Sequence, residues 1–304
     1  MTSTTQTPHN AATRSLDLGA AALIVFLCLC WGFNQVAVKY ALPDIPPLTQ
    51  AAIRSFGAAL IIWLYARIRG ISLDMRDEAL TAGMVAGILF AIEFILIYRG
   101  LLYTTASRAV LFIYCAPFVV VLGSHFLVPG DRFRPAQWAG LLMSFGGIAL
   151  AFGVPTPSAD PRQILGDVMI LGGGIAWGLT TLLVKATSLS RTPPEKTLQY
   201  QLVVSAPVLA IAAWAFGEHM THMPSAIAVW SMVYQTVWIC AVTFLLWFTL
   251  VVRYSANRLS AFTFLTPLFG VFAGYIVMND PVTPAFAGAV ALVIGGLILV
   301  NRPK

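Results

Sequence analysis

Ten long runs of mainly apolar residues divide this chain and leave room for few folds. The runs are 17–38, 48–66, 79–98, 105–127, 135–153, 164–185, 197–216, 226–250, 258–278 and 284–301. A helix that crosses a bilayer needs roughly 20 such residues. The runs are continuous and do not alternate with polar residues, so they favour helices over the strands of a barrel. The sequence predicts an all-α membrane protein with ten transmembrane helices, which we number spans 1 to 10.

Charged residues are scarce, and their placement indicates how the chain enters the membrane. They make up 10% of the sequence, against roughly 25% in a soluble domain. If the N-terminus is cytoplasmic, most basic residues fall at the inner face: Arg14, Arg67, Arg69, Arg76, Arg132, Arg134, Lys185, Arg191, Lys196, Arg253, Arg258, Arg302 and Lys304. This is the positive-inside distribution. We therefore expect both termini in the cytoplasm, a bacterial inner-membrane location in contact with lipid, and no nucleic-acid partner.

The sequence also contains an internal repeat. Trp31-Gly32 is followed by Lys39, and Trp177-Gly178 is followed by Lys185 at the same spacing. Arg108 precedes Pro117, and Arg258 precedes Pro267, again at matching distances. Each half contains five spans, which is an odd number. Two equivalent halves joined by a short link must then enter the membrane from opposite sides, so the sequence predicts inverted repeats.

This duplication predicts the domain organisation. Residues 1–16 are polar and are expected to form a disordered cytoplasmic tail. The first five-helix repeat covers 17–153, a proline-containing linker covers 154–163, and the second five-helix repeat covers 164–304. The other loops are too short to hold a soluble catalytic domain.

The paired Trp-Gly motifs in the first span of each repeat and the paired prolines in the fourth resemble the drug/metabolite transporter superfamily, EamA type. The resemblance covers residues 17–301. It implies a basket of helices around a central cavity, lined by spans 1–4 and 6–9, with solute passing by alternating access. In size and plan the chain is similar to amino-acid exporters of the YddG type.

The matched motifs supply the first candidate site residues. Trp31 and Trp177 lie inside their spans, away from the interface where tryptophan often anchors, so a contact with solute and simple packing between helices both stay open. Gly32 and Gly178 allow close helix approach and are candidate hinge positions. A polar stripe continues along the two spans through Asn34, Gln35, Lys39, Thr180, Thr181 and Lys185. The two lysines either reach the lipid headgroups or attract a solute carboxylate.

Glu93 is the one acidic residue predicted to lie deep in a span. A buried carboxylate is costly unless it is protonated or paired. It could couple transport to protons, bind a solute amine, or pair with Arg54 or Arg99. Because Coulomb attraction in a poorly hydrated site is large, we expect Arg54 to hold Glu93 ionised, in a structural role without obligatory proton coupling.

The fourth span of each repeat carries two further features. Ser107 and Asn257 are predicted N-caps, and the following Arg108 and Arg258 would favour an anion or simply anchor the membrane edge. Pro117 and Pro267 fall inside their spans, where each frees a carbonyl and is expected to kink the helix. At matched places in two repeats we interpret them as hinges or as wedges that widen a cavity.

These features predict an inner-membrane secondary transporter that exports small organic solutes, amino acids of the aromatic or neutral kind or related metabolites. The predicted solute-binding residues are Trp31, Asn34, Gln35, Lys39, Glu93, Tyr98, Tyr114, Trp177, Thr181, Lys185 and Tyr200. The alternatives are a passive facilitator or channel and an intramembrane enzyme, which would need paired acids or a His/Ser constellation in the spans. No cofactor or metal site is expected, and the chain is expected to act as a monomer or weak homodimer.

Overall fold

The computed structural model describes residues 16–153, 160–279, 282 and 284–302; within these the chain is helical and contains no strand. Seven spans are unbroken helices: span 1 (Leu18–Ala41), span 2 (Pro47–Arg69), span 3 (Leu80–Gly100), span 5 (Pro135–Phe152), span 6 (Pro161–Ala186), span 7 (Pro194–Ala215) and span 10 (Ala285–Asn301). Among the described residues, nine spans are long and apolar enough to cross a membrane, and span 10 is a slightly shorter apolar helix of 17 residues. The predicted fold class is confirmed.

Three spans are composite. Span 4 consists of Ala106–Ile113 and Ala116–Leu127, and span 9 consists of Ala256–Phe262 and Leu265–Met278. Span 8 runs as an α-helix over Ala226–Val233, as a π-helix over Tyr234–Thr243, and again as an α-helix over Phe244–Arg253. Short π segments in helices often mark functional positions, and one of ten residues is unusual.

The two prolines account for the breaks in spans 4 and 9. Pro117 and Pro267 each lie in the first turn of the second helical segment, where a missing N–H removes no helical bond. The chain interrupts the helix just before this turn, at Tyr114-Cys115 and at Thr263-Phe264. The expected kinks are therefore present, as turns that precede the prolines.

Helices of one half of the chain pack mainly against helices of the other half. Span 1 packs against spans 8 and 9, whereas span 6 packs against spans 3 and 4. Spans 5 and 10 pack on each other, as do spans 2 and 7. Each contact made by one half thus recurs in the other with the span number shifted by five, as expected of two repeats related by a twofold axis. The predicted tail 1–16, apart from Leu16, and linker residues 154–159 lie outside the described part.

Candidate functional site

Trp31 sits at a junction between the two halves. Its indole Nε1 donates a hydrogen bond to Oγ1 of Thr243 at 2.9 Å, where the π segment of span 8 ends. The ring also meets two aromatic rings of span 8 edge-on, Phe244 at 6.3 Å and Trp247 at 5.6 Å between centroids. Trp31 is half-buried in this cluster, so part of its surface is not covered by the protein.

Trp177 occupies the corresponding place in span 6. It is half-buried and meets Tyr114 edge-on, with the ring centroids 5.8 Å apart. Tyr114 lies in the turn that breaks span 4, and its other neighbour, Phe264 at 5.8 Å, lies in the turn that breaks span 9. The second tryptophan is thus packed against the break in span 4, and Tyr114 connects it to the break in span 9.

A small cleft lies between the two tryptophan clusters. It is too narrow for a water molecule. Its lining comes from spans 4, 6, 8 and 9: Ala116, Pro117, Val120, Trp177, Gly178, Thr181, Trp247, Ser260 and Thr263. Pro117, Trp177, Gly178 and Thr181 are among the residues predicted from the sequence. The structure therefore brings these four together in a closed arrangement.

Gly32 and Gly178 set the distance between helices beside this cleft. A Cβ at Gly32 would lie 2.6 Å from Cβ of Phe269 in span 9, and one at Gly178 would lie 2.7 Å from Cβ of Val119 in span 4. A carbon cannot fit at such distances, so only glycine permits these contacts. Each glycine thus brings its own span against the proline-containing segment of the other half.

The polar stripe predicted on spans 1 and 6 is only partly directed into the protein. Asn34 is half-buried, and its Oδ1 is buried without a hydrogen-bond partner. Gln35 is exposed. Thr181 is buried and donates its hydroxyl to the carbonyl of Trp177, one turn earlier, at 3.3 Å. Asn34 is thus the member of the stripe with an unused acceptor inside the bundle.

Lys185 has a different role from either of those predicted for it. Its ammonium group is buried and donates to the carbonyl oxygens of Val251, Val252 and Tyr254 at 3.0, 3.3 and 2.8 Å. These are among the last carbonyls of span 8, which have no partner within the helix, and a cation there is also favoured by the helix dipole. The donors of Lys185 are used by the protein itself. Lys39 is exposed.

Glu93 and Arg54 do not form the ion pair that the sequence suggested. Both side chains are buried, yet the guanidinium of Arg54 stacks on Phe94, with Cζ 4.1 Å from the ring centroid. Among the described residues the two side chains are not within ion-pair distance. Glu93 and Phe94 are consecutive on span 3 and point about 100° apart. The guanidinium takes the ring of Phe94 as its contact, and the Glu93 carboxyl acts on it only at longer range.

An aromatic row leads from Tyr98 to the tryptophans. Phe94 lies 5.7 Å from Tyr98 and 4.9 Å from Phe90, and Phe90 lies 5.9 Å from Phe244 of span 8. Phe244 in turn contacts Trp31. Tyr98 therefore belongs to the same chain of rings as the candidate site, whereas Tyr103, which the sequence places nearby, is exposed.

Tyr200 lies apart from the other candidates. It is fully buried, and a Cβ added at Gly83 of span 3 would lie 2.3 Å from its ring. Its neighbour on the other side is Lys196, whose Nζ is 5.9 Å from the ring centroid. Lys196 forms an ion pair with the loop residue Asp77, and this contact lowers the pKa of the Asp77 carboxyl. Tyr200 thus packs between spans 3 and 7 at one end of the bundle, which corrects its predicted place in the site.

Two matched carboxylates tie loops to spans at opposite ends of the bundle. Asp167 of span 6 accepts from Thr104 at 2.6 Å and binds the guanidinium of Arg108. Asp17, which caps span 1, accepts from the hydroxyl of Tyr254 at 2.6 Å. Asp167 follows Asp17 by 150 positions, and Tyr254 follows Thr104 by the same 150. The anion beside Arg108 is therefore supplied by the protein itself.

The N-caps of the fourth spans are not the residues predicted. Thr105 caps the first segment of span 4, and Ser255 caps that of span 9, each accepting from the backbone N–H three residues on at 3.4 Å. The predicted caps Ser107 and Asn257 fall inside the helices. The side chain of Asn257 instead donates to the backbone carbonyl of Asp131, in the loop between spans 4 and 5. Span 9 begins at Ala256, two residues before the predicted 258, whereas span 4 begins at Ala106, one residue after the predicted 105.

Sequence reasoning missed the contribution of span 8. Trp247, Thr243 and Phe244 surround Trp31, but they carry no repeated Trp-Gly motif. The repeat register would have found one of them, because Trp247 follows Tyr98 by 149 positions, an offset close to those of the matched motifs. No sequence signal that we used predicts the π segment of span 8.

The fold and its paired tryptophans define a polytopic membrane protein built from two similar halves. The sequence profile of the EamA-like transporter family matches the chain twice, over residues 18–153 and 164–302. The chain belongs to this family, which confirms the resemblance seen in the sequence.

Individual relatives agree with this assignment. The chain is 27% identical to the Bacillus subtilis (strain 168) protein named uncharacterized transporter YvbV, over 92% of this chain and 91% of that protein. It is 19% identical to the Escherichia coli (strain K12) protein named uncharacterized inner membrane transporter YedA, over 91% and 89%. A solved crystal structure of another protein has the same fold, with a TM-score of 0.80 at 22% identity, covering 93% of this chain and 98% of that one. The chain is thus similar to bacterial membrane transporters.

Proposed function

We propose that this protein is an inner-membrane secondary transporter that exports small organic solutes, amino acids of the aromatic or neutral kind or related metabolites, by alternating access. The observation that carries the proposal is that the aromatic clusters of Trp31 and Trp177, one from each half, meet at one cleft. Trp31 contacts Trp247, and Trp247 and Trp177 both line the cleft beside the two helix breaks. Aromatic rings contact the apolar body of a solute, and neighbouring hydroxyl and amide groups orient it.

The proposed motion uses the breaks in spans 4 and 9. Each break lies next to the cleft, through Tyr114 in one half and Thr263 in the other. Backbone that leaves the helix inside a membrane protein is tolerated where it is covered by protein or lines a cavity. Turning the segments that begin near Pro117 and Pro267 would widen the cleft toward one face and then the other. Gly32 and Gly178 would act as the contact points of this motion.

Matched contacts at the two ends fit the same scheme. The contacts of Asp167 with Thr104 and Arg108 tie loop to span at one end. The contact of Asp17 with Tyr254 and the three hydrogen bonds of Lys185 do so at the other. With cytoplasmic termini, which we propose from the positive-inside distribution, the first set lies at the periplasmic face and the second at the cytoplasmic face. Contacts of this kind at both ends are what an occluded state of the proposed carrier requires.

Saturable transport tests the proposal. The purified protein in liposomes would be assayed for uptake of labelled phenylalanine, leucine and tryptophan, beside a sugar and a cationic drug. We expect saturable uptake of at least one amino acid, reduced at least about tenfold by Trp31→Ala or Trp177→Ala, because each change removes a large aromatic contact surface. Trp230→Ala, an exposed tryptophan of span 8, is the control and should transport normally. Normal transport by the Trp31 and Trp177 variants would move the site elsewhere.

A further inference from the structure

Arg54 is a buried charge that the helix bundle does not neutralise by contact. It lies on span 2, seven residues after the helix begins at Pro47, and is 2% exposed. Its Nε and Nη2 have no hydrogen-bond partner, and no ion pair within 4.0 Å involves it in the described part of the chain. A buried charge without a partner costs several kcal/mol. A protein that retains such a group has a use for its unsatisfied donors.

The surroundings of Arg54 place it at the junction of three spans. Gln50 and Gly57 lie on the same face of span 2, one turn to either side of it. Gln50 accepts from Nε2 of Gln235 at 3.0 Å, and a Cβ at Gly57 would lie 2.6 Å from Cγ2 of Thr236. Both partners belong to the π segment of span 8. Since Phe94 of span 3 covers the guanidinium, Arg54 points into the space where spans 2, 3 and 8 meet.

The same junction holds an unused acceptor. Gln235 is fully buried, and its Oε1 has no hydrogen-bond partner. An unsatisfied donor on Arg54 and an unsatisfied acceptor on Gln235 therefore belong to the same junction, where Gln50, one turn from Arg54, contacts Gln235. The junction includes a π segment of the kind that recurs at functional sites. The pair is equipped to bind a small polar group from outside the chain.

Arg54 is also connected to the tryptophan centre. The ring that it stacks on, Phe94, begins the series that continues through Phe90 and Phe244 to Trp31. A solute whose apolar body lies along these rings would bring its polar end to the guanidinium. Guanidinium groups bind carboxylates through two parallel hydrogen bonds, and such charge-assisted bonds are strong in a poorly hydrated site.

We propose that Arg54 binds the carboxylate of the transported solute, so that the protein selects small organic carboxylates, amino acids among them. The proposal rests on the transport function proposed above and specifies the chemistry of its substrate. It assigns the apolar body of the solute to the aromatic row, and the carboxylate to Nε and Nη2 of Arg54.

The test compares solutes that differ in the carboxylate alone. Purified protein would be titrated with L-phenylalanine, with 3-phenylpropionate and with L-phenylalaninamide, and binding would be read from the rise in unfolding temperature. For the parent we expect binding of both carboxylates. Arg54→Met should weaken carboxylate binding at least about tenfold and change amide binding less than about twofold. Arg54→Lys should retain part of the carboxylate binding. Arg108→Gln is the matched control and should leave the preference for carboxylates unchanged.

The stability of the protein without solute gives a second, independent readout. Because Arg54 is unpaired, Arg54→Met should unfold at the same temperature as the parent or higher, whereas Arg108→Gln, which breaks the pair with Asp167, should unfold at a lower temperature. A parent that binds neither carboxylate, or an Arg54→Met variant that binds both as well as the parent does, overturns the proposal. Transport of an uncharged solute without carboxylate binding would overturn it while leaving the transport function intact, and absence of any transport would contradict the function itself.

Discussion

The indole of Trp31 donates its hydrogen bond to the hydroxyl of Thr243, a residue 212 positions further along the chain and in the other half of the protein. Thr243 passes its own hydrogen on to the carbonyl of Ile239 at 2.7 Å. The first span of one repeat is thus fastened to the end of the π segment in the other. Any opening of the centre that separates spans 1 and 8 must break or move this bond.

Removing the hydroxyl of Thr243, which accepts the hydrogen bond from Trp31, should therefore lower the stability of the protein measurably. Thr243→Val keeps the shape of the side chain but leaves a buried indole N–H without a partner, at a cost of about 1–3 kcal/mol. Trp31→Phe removes the donor, and adding Thr243→Val to it should cost little more. The three variants would be compared by thermal unfolding in detergent. Additive losses in the double variant would show that the bond contributes nothing to stability.

The close approach of spans 4 and 6 at Gly178 should make the stability of the protein sensitive to a larger residue there. Gly178→Ala introduces a Cβ 2.7 Å from Val119, which would force spans 4 and 6 apart at a cost of about 1–3 kcal/mol. Gly146→Ala is a matched control in span 5, because a Cβ there meets nothing within 4 Å, and alanine is the better helix former. We expect a lower unfolding temperature for the first variant and an unchanged or higher one for the second. Equal temperatures would contradict the packing described.

Lys185 should be more important for stability than its counterpart Lys39. Lys185→Met leaves the carbonyls of Val251, Val252 and Tyr254 without their donor, and we expect a loss of about 2–3 kcal/mol. Lys39→Met alters an exposed residue and should cost less. Unfolding temperatures of the two variants in detergent test the difference. A larger loss of stability in the Lys39 variant would contradict the structural role described for Lys185.

The contacts of the loop residue Asp44 should make the stability of the protein depend on pH. Hydrogen bonds with the hydroxyl of Ser225, with His222 and with the backbone N–H of Ser225 at 2.8 Å lower the pKa of the Asp44 carboxyl from 3.8 to about 2. The stabilisation is therefore complete above pH 3.8 and is lost as the pH falls toward 2. We expect the difference in unfolding temperature between the parent and Asp44→Asn to be constant above about pH 5 and to shrink below pH 4. A difference that grows on acidification would contradict the assignment.

Much of this architecture could be predicted from the sequence, because lipid imposes simple rules on it. Long apolar runs located the spans, and the matched register of Trp31 with Trp177 and of Pro117 with Pro267 located the helix breaks and the centre. The partner of a polar residue was harder to predict. Arg54 and Glu93 lie at similar depths, yet a difference of one residue on a helix turns Arg54 toward Phe94. Lys185 looked like a residue at the membrane edge because its partners are backbone carbonyls, which no sequence pattern displays.

Separation from Arg54 changes what we expect of Glu93. The sequence suggested a carboxylate held by arginine, without obligatory proton coupling. Because no cation in the described part of the chain lies within ion-pair distance of Glu93, we expect this carboxyl to exchange a proton during transport, a common use of intramembrane acids. We predict that Glu93→Gln keeps downhill exchange of solute in liposomes and loses accumulation driven by an imposed pH gradient, while Glu78→Gln in an exposed loop keeps both. A variant that still responds to the gradient as the parent does would return Glu93 to a structural role.

Counterflow in liposomes tests the central claim most directly, because it separates a carrier that alternates between two faces from a passive channel. Vesicles containing the protein would be loaded with unlabelled amino acid at high concentration and diluted into a trace of the labelled form. We predict a transient accumulation of label above its equilibrium level, absent in vesicles without protein and strongly reduced by Trp31→Ala. Label that only rises to equilibrium, at a rate unaffected by the internal solute, would show a channel and contradict the account.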